Sequence, residues 1–382
     1  MAACLLGISV FELIELHGHI RLAGTMAAVL LVLFLLVGQV RLGLRERYLI
    51  ALSVVATIAA VAFSDTPLAL IERGFTQATY LAAFMLLLAL LRDGAVTSPS
   101  VLKLGRYLTH RPPGQRYLAI HAGSHALGMI LNFGALSLLG PLIQRGIRAD
   151  AETNLELAQW RERRQMSALA RGFSWIIAWS PTAVTQALVA SVVMGSRPLV
   201  MAGIGFFISL GVMVIGWAEE RVTGKRARAT LAAHDALPRP DMTPEPFPWQ
   251  AFKRFALVCA ALAGISLALI FSTGVKVVPA LMLASPIVTL TWIWFQYQSA
   301  HDQFSATISR IKGIAGKSIP AGSPEAVTLS AAGYIGIVAA GLSNAPVLAD
   351  FAGLETWSPV VVYLAVMLIV PIASNLAMPP ML

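Results

Sequence analysis

The sequence predicts an all-α, polytopic membrane protein with about ten membrane-embedded segments. They are arranged as an inverted-topology repeat with two re-entrant helical hairpins. Three observations carry this prediction. The 382-residue chain is 57% hydrophobic and 12% charged, with a mean hydropathy of +0.74, whereas soluble domains carry about 25% charged residues. Its apolar runs approach the ~20 residues that span a hydrocarbon core. Finally, the apolar stretch Tyr117–Gln144 has Arg116 before it, Arg145 and Arg148 after it, and Asn132-Phe133-Gly134 in its middle. Positive charge stays cytoplasmic, so this stretch starts and finishes on one membrane face and turns inside. Backbone at such a tip is tolerated only where it is buried in protein or lines a watery cavity.

Taken in order, Leu22–Val40, Tyr48–Phe63, Ala78–Leu91, Ser167–Met194, Val200–Trp217, Phe255–Phe271 and Val278–Phe295 read as spans. Tyr117–Gln144, Val327–Leu342 and Val360–Leu382 are weaker or broken. In Met1–Ile20 the residues Glu12, Glu15, His17 and His19 crowd the second half. The opening Met1–Val10 lacks a basic region and a clear cleavage site, so it reads as a membrane segment or a shortened start rather than a removable signal.

Charge orients the spans. The connections Arg41–Tyr48, Arg92–Arg116, Arg145–Arg171, Arg221–Arg254 and His301–Glu325 hold 24 of the 28 basic residues. Arg73, Arg197 and Lys276 stand alone on the other side, and Arg21 is unplaced. Such a bias sets sidedness; the net charge of +9 is therefore topological and implies no nucleic acid. Residues 1–71 form leading membrane helices. Residues 72–218 form the first repeat, with hairpin 117–144 and broken helix 167–194. Residues 219–254, with Lys225-Arg226-Ala227-Arg228 and five prolines from Pro238 to Pro248, form a cytoplasmic linker. Residues 255–382 form the second half, with an incomplete hairpin at 360–382. Following the crossings, Val360–Leu382 enters from the face opposite to Tyr117–Gln144 and has its own break, Ser374-Asn375-Leu376-Ala377. Two such units with opposite orientation place a substrate site near the midplane, where discontinuous helices meet.

The candidate binding residues sit at these breaks: Asn132, Phe133 and Gly134 in the first hairpin, and Ser374 and Asn375 in the second. An asparagine donates and accepts hydrogen bonds without the desolvation penalty of a charge. A third break is Trp179-Ser180-Pro181-Thr182. Proline removes a backbone donor and frees carbonyls near Ile177 and Ala178, with Ser180, Pro181 and Thr182 as site candidates and Thr185 and Gln186 nearby. His121 and His125, four apart on one helical face, form a candidate proton relay. They lack a third metal ligand, so no metal site and no cofactor is expected beyond Na⁺ or H⁺ as coupling ion. Cys4 and Cys259 are the only cysteines and form no CxxC or disulfide framework. No P-loop, GxSxG or strand-linked GxGxxG is present, so the chain reads as no enzyme.

A hairpin break with Asn, a following helix with a Ser-Pro-Thr interruption, a cytoplasmic linker and a Ser-Asn hairpin together resemble the ion transporter superfamily. That group includes sodium–dicarboxylate symporters, citrate carriers, arsenite pumps and sodium–proton antiporters. The resemblance implies that Asn132 and Ser374-Asn375, with the unwound Ser180-Pro181-Thr182, bind solute and ion. The family's Ser-Asn-Thr motif is degenerate here: Leu376 stands where Thr is expected, and the first hairpin has neither Ser nor Thr beside Asn132. The second unit stops at Met381-Leu382, inside its returning arm, which reads either as truncation or as a repeat that fails at its end. The expected function is a secondary active transporter of a small anionic solute in a bacterial inner membrane, with the basic loops cytoplasmic. Its expected partners are the bilayer and the solute, with a homodimer left open. Alternatives are a non-catalytic membrane subunit of a larger transport complex and, less favoured, a membrane enzyme acting on lipid-linked glycans.

Cysteine-accessibility mapping checks the topology: residues beside Arg116 and Arg145 should both label from the cytoplasm, and residues beside Asp350 from outside. Labelling of Arg116 and Arg145 neighbours from opposite faces would remove the inverted repeat.

Overall fold

The computed structural model describes residues 2–38, 42–131, 134–151, 155–183, 186, 189, 197–232, 246–298, 301–343 and 358. All regular structure among them is helical. The helices are α1 (Ala2–Gly18), α2 (Arg21–Gly38), α3 (Leu44–Phe63), α4 (Pro67–Val96), α5 (Pro99–Thr109), α6 (Pro113–Leu131), α7 (Gly134–Ala151) and α8 (Leu155–Ser174). They continue with α9 (Pro198–Ala232), α10 (Trp249–Thr273), α11 (Val277–Gln296), α12 (Gln303–Gly313) and α13 (Ser323–Leu342). Seven of these, α2, α3, α4, α9 through Thr223, α10, α11 and α13, are long and apolar enough to cross a membrane.

Local chemistry fixes several ends. Pro67 opens α4, where its fixed φ suits the first helical turn and its missing N–H costs nothing. Asp302 caps α12 by accepting from the Ser305 amide at 3.0 Å. Gly274 closes α10 at φ 70°, the left-handed region where glycine carries no Cβ penalty. Between α12 and α13 the chain widens into a π-turn, Ile314–Ser318.

Helix α4 stands at the centre. The run Ala78–Ala89 is buried throughout except Tyr80, because α1, α2, α3, α11 and α13 surround it. Two buried clusters meet along it. One joins α1, α2 and α13 through Leu5, Ile8, Phe34, Phe84 and Tyr334; the other joins α5 to α8, α10 and α11 through Leu91, Leu139, Leu169 and Trp292. The outer helices are the reverse of a soluble surface. Leu36 (69% exposed) on α2, Phe63 (82%) on α3, Phe207 (72%) on α9 and Phe271 (84%) on α10 project outward. Apolar exposure on that scale is the surface a bilayer covers. The chain is a multi-pass membrane protein.

Tight packing of α4 on α13 rests on small residues. A Cβ at Gly333 would fall 2.6 Å from Leu81 Cδ1, and one at Gly74 would fall 2.8 Å from the Tyr334 ring. Tyr334 packs edge-on against Phe75 at 5.2 Å and shares a 2.7 Å hydrogen bond with the Thr57 hydroxyl of α3. Close approach through glycine is a usual route to helix association in lipid, where no hydrophobic force acts between helices.

Some expectations change here. The basic stretch Arg145–Arg171, read as a connection, is largely helix: α7 runs on to Ala151 and α8 begins at Leu155. Two of its arginines pair with glutamates of α9: Arg164 with Glu220, and Arg171 with Glu219 at 2.6 Å. The expected span Ser167–Met194 accordingly stops as an α-helix at Ser174. Helix α9 carries helical structure through Ala232, into the expected linker. The crowded opening segment is a packed helix, α1, with Glu12 buried. The second hairpin, 360–382, lies outside the described residues.

Gly336, one turn from Gly333, has nothing within 4 Å of an added Cβ. Gly333→Val should therefore lower the thermal unfolding temperature of the detergent-solubilised protein, reflecting an overpacking cost of about 1–3 kcal/mol. Gly336→Val should leave it nearly unchanged, as measured by differential scanning fluorimetry on both variants.

Candidate functional site

The interruption after α8 is the most elaborated polar feature of the bundle. From Trp175 the chain tightens into a 3₁₀ turn, Trp175–Ala178, and then leaves helical geometry at Trp179 (φ −139°, ψ −24°). Proline at 181 is the local cause. It supplies no N–H to the carbonyl four residues back, and its ring disfavours helix in the residue before it. Backbone groups around the break are held by the turn itself and by one side chain. The Ile176 carbonyl accepts the amides of Trp179 (3.2 Å) and Ser180 (2.9 Å). The Ala178 carbonyl accepts Nε2 of Gln186 at 2.8 Å. Ala178 is one of the two positions at which the sequence predicts a freed carbonyl.

Helix α6 faces this break, and α8 packs along both α6 and α7. The Thr182 hydroxyl donates to the Met129 carbonyl at 2.6 Å, near the end of α6, and Ser180 and Thr182 hydroxyls lie 2.8 Å apart. Ser180 is wholly buried. Above them His125 is held at both ring nitrogens. Its Nδ1 lies 2.8 Å from the Gly172 carbonyl, which only accepts, so Nδ1 carries the proton. Its Nε2 accepts from the Trp179 indole N–H at 2.6 Å. Two neighbours thus fix one neutral tautomer. A relay through His125 would have to break one of these bonds, and the geometry makes His125 a tie between α6, the end of α8 and the break.

His121 differs. It is 1% exposed, and both its ring nitrogens lack a hydrogen-bond partner. It lies in a row of rings, 5.6 Å from Tyr117 and 6.4 Å from His125, and the row ends on Trp179, stacked on His125 at 5.4 Å. Two glycines let the backbones come this close. A Cβ on Gly172 would overlap the Ser124 hydroxyl and the His121 carbonyl, and one on Gly205 of α9 would overlap the Ala178 carbonyl. Gly203, by contrast, faces open space.

A small recess opens between the end of α6, the break and α4. Met129 and Ile130, Thr182, and Met85, Leu88 and Arg92 line it. Arg92 is the one charged lining residue among the described residues, and its partners there are distant for an arginine: Glu325 at 3.5 Å and Asp93 at 3.9 Å. Counting Arg92 among topological charges hides this role. The sequence signal is an Arg-Asp pair closing the longest buried apolar run of the chain.

The structure therefore brings Ser180, Pro181, Thr182, His121 and His125 together around one break. Gly134 is the first residue of α7. Asn132, Phe133, Ser374 and Asn375 lie outside the described residues. Among the described residues no group of three or more His, Cys, Asp or Glu side chains forms a metal cluster. Comparison with protein-family models, curated proteins and solved structures finds no match.

Trp179→Phe keeps the stacked ring but removes the donor to His125. The orphaned Nε2 should destabilise the fold by about 1–3 kcal/mol, read as a lowered midpoint of thermal unfolding. A variant as stable as the parent would show that this hydrogen bond does not hold the break in place.

Proposed function

We propose that this chain is a secondary active transporter of a small anionic solute, coupled to Na⁺ or H⁺, with the solute bound where the tip of the first hairpin meets the broken segment Trp179–Thr182. The observation that carries the reading is the recess itself. One arginine, Arg92, faces it beside the Thr182 hydroxyl and the end of α6, in an otherwise apolar lining. A guanidinium whose nearest carboxylate oxygen is 3.5 Å away can exchange that partner for a carboxylate or oxyanion with better geometry.

On this reading α6 and α7 are the two arms of a re-entrant hairpin, and Asn132, Phe133 and Gly134 form its tip. Ser374 and Asn375 supply the opposing tip of an inverted repeat. Alternating access moves one of these units against the rest while the site stays between them. Backbone groups unpaired at the tips, together with the asparagine side chains, dehydrate and hold the ion. The basic connections keep the cytoplasmic side fixed.

Reconstitution into proteoliposomes tests the proposal. Radiolabelled mono- and dicarboxylates, phosphate and sulfate are offered under an imposed Na⁺ or pH gradient. Saturable, gradient-driven uptake of one of these anions is expected. Arg92→Gln, Thr182→Val, Asn132→Ala and Asn375→Ala should each cut it by about tenfold or more, the equivalent of roughly 1.4 kcal/mol. Uptake that all four substitutions leave intact would sink the assignment.

A further inference from the structure

Far from the recess, on the other side of α4, the bundle buries a carboxyl group whose one charged neighbour among the described residues is another carboxylate, Glu15. Glu12 of α1 is 1% exposed, and its Oε2 has no hydrogen-bond partner. It lies against Thr79, the thirteenth of thirty residues in α4, close to the middle of the central helix. The Thr79 hydroxyl lies 3.1 Å from the Phe75 and Thr76 carbonyls. The hydroxyl thus has backbone acceptors of its own, and with its proton on one of them its lone pairs are open to Glu12. A carboxylic acid can donate to Thr79 and leave that bond in place, whereas a carboxylate has to draw the hydroxyl proton away from the carbonyls to gain one hydrogen bond. A buried unpaired carboxylate is among the most costly groups in a bilayer, and a proton removes that cost.

The surroundings supply a route as well as a site. Glu15 is one turn along the same face of α1, half-buried, and its carboxylate closes on Gly24 of α2. Glu15 in turn faces Glu72 of α4, which is exposed. The groups acting on Glu12 include Glu15 from its own helix, and Thr79 and Tyr80 from α4; α2 contributes Gly24, which carries no charge, and the π-turn Ile314–Ser318, also packed on α1, carries Lys317, which is exposed. Acidic groups thus run from the exposed end of α4 inward to one buried acid.

We infer that Glu12 is an intramembrane proton-binding site, loaded through Glu72 and Glu15 from the end of the bundle where α4 begins. The inference rests on the transporter reading for its purpose, since it makes H⁺ the coupling ion. The proton moves from water to the Glu12 carboxylate, neutralises it, and leaves the Thr79 oxygen as acceptor. Deprotonation returns the charge to a site that then favours a different arrangement of α1 on α4.

Infrared difference spectroscopy of the purified protein in lipid, titrated with alkali and no solute present, tests this directly. The wild type should show a protonated-carboxyl carbonyl band at neutral pH that bleaches as pH rises. Glu12→Gln should lose that band, Thr79→Val should shift it, and Glu15→Gln should keep it. Glu12→Asp retains an acid at the site and should keep a titrating band, which separates loss of the group from loss of the fold. A band that persists in Glu12→Gln overturns the inference. So does a wild-type band abolished by Na⁺ at constant pH, which would make the site a sodium site. Because no solute is used, a failure of the transport experiment leaves this result standing, and a failed band leaves the recess untouched.

Discussion

The structure hangs on the burial of α4. A thirty-residue helix buried almost without interruption from Ala78 to Ala89 is unusual in a chain most of whose other spans face outward along much of their length. Its neighbours gain nothing from hydrophobic association in lipid, because the acyl chains are as apolar as they are. Shape must do the holding. Gly74 admits the Tyr334 ring, Gly333 admits Leu81, and Gly94 admits Thr289, so α11 and α13 close on α4 from two sides. Polar ties then fix the register. Ser285 donates to the Leu87 carbonyl at 3.0 Å, and Gln296 donates to the Gly94 carbonyl at 2.9 Å. Each such bond is worth little in water, but it prevents a slide that packing alone would permit.

The break after α8 shows how the fold handles backbone polarity where no water is available. A helix interrupted in a bilayer must give each freed group a new partner. Gln186 does so for the Ala178 carbonyl, the Ile176 carbonyl takes the Trp179 and Ser180 amides, and the Thr182 hydroxyl ties the break to the Met129 carbonyl of α6. His125 and Trp179 then lock the side-chain layer above. His121 and Glu12 are the opposite case. They are as deeply buried as any core residue but have nitrogens or an oxygen left unmatched. Satisfied buried polar groups make a structure unique, whereas unsatisfied ones persist where something other than stability retains them.

The sequence made the membrane class, most spans and the break at Pro181 legible, and the reasons are physical. Apolar length and proline chemistry act locally, so α2, α3, α10, α11 and α13 fall close to their expected ranges. The Ala178 carbonyl, next to the Ile177 carbonyl that the proline leaves without an amide, takes the Gln186 side chain. What depended on tertiary pairing was not legible. Arg164 and Arg171 read as loop charges because their partners, Glu220 and Glu219, lie about fifty residues on. Arg92 read as topology because the recess beside it is assembled from α6 and the break. Glu12 lowered the standing of the first segment, since a carboxylate argues against a span until the Thr79 it packs on is known. The paired asparagines, which gave the inverted repeat its weight, fall outside the described residues, so that idea rests on charge asymmetry.

On the proposed assignments α4 carries both halves of the function, with Thr79 at the proton site and Arg92 at the recess. Thirteen residues of helix separate them, about 20 Å along the axis. That distance limits how they communicate. Two unit charges about 20 Å apart interact by roughly 1 kcal/mol at an effective dielectric near 20. Moving a two-state carrier from almost entirely one form to almost entirely the other takes about 5.5 kcal/mol. Direct attraction or repulsion between solute and proton is therefore too small to couple their movements tightly. The larger share has to come from packing that has two arrangements, and α4 against α13 is the place for it. There Glu325 holds Arg92 at one end while Gly333 and Gly74 set the fit along the rest. A solute that takes Arg92 from Glu325 releases that end of α13, and a proton on Glu12 changes what α1 demands of α4 on its other face. Neither ligand need sense the other's charge, because each biases the seat of the same helix.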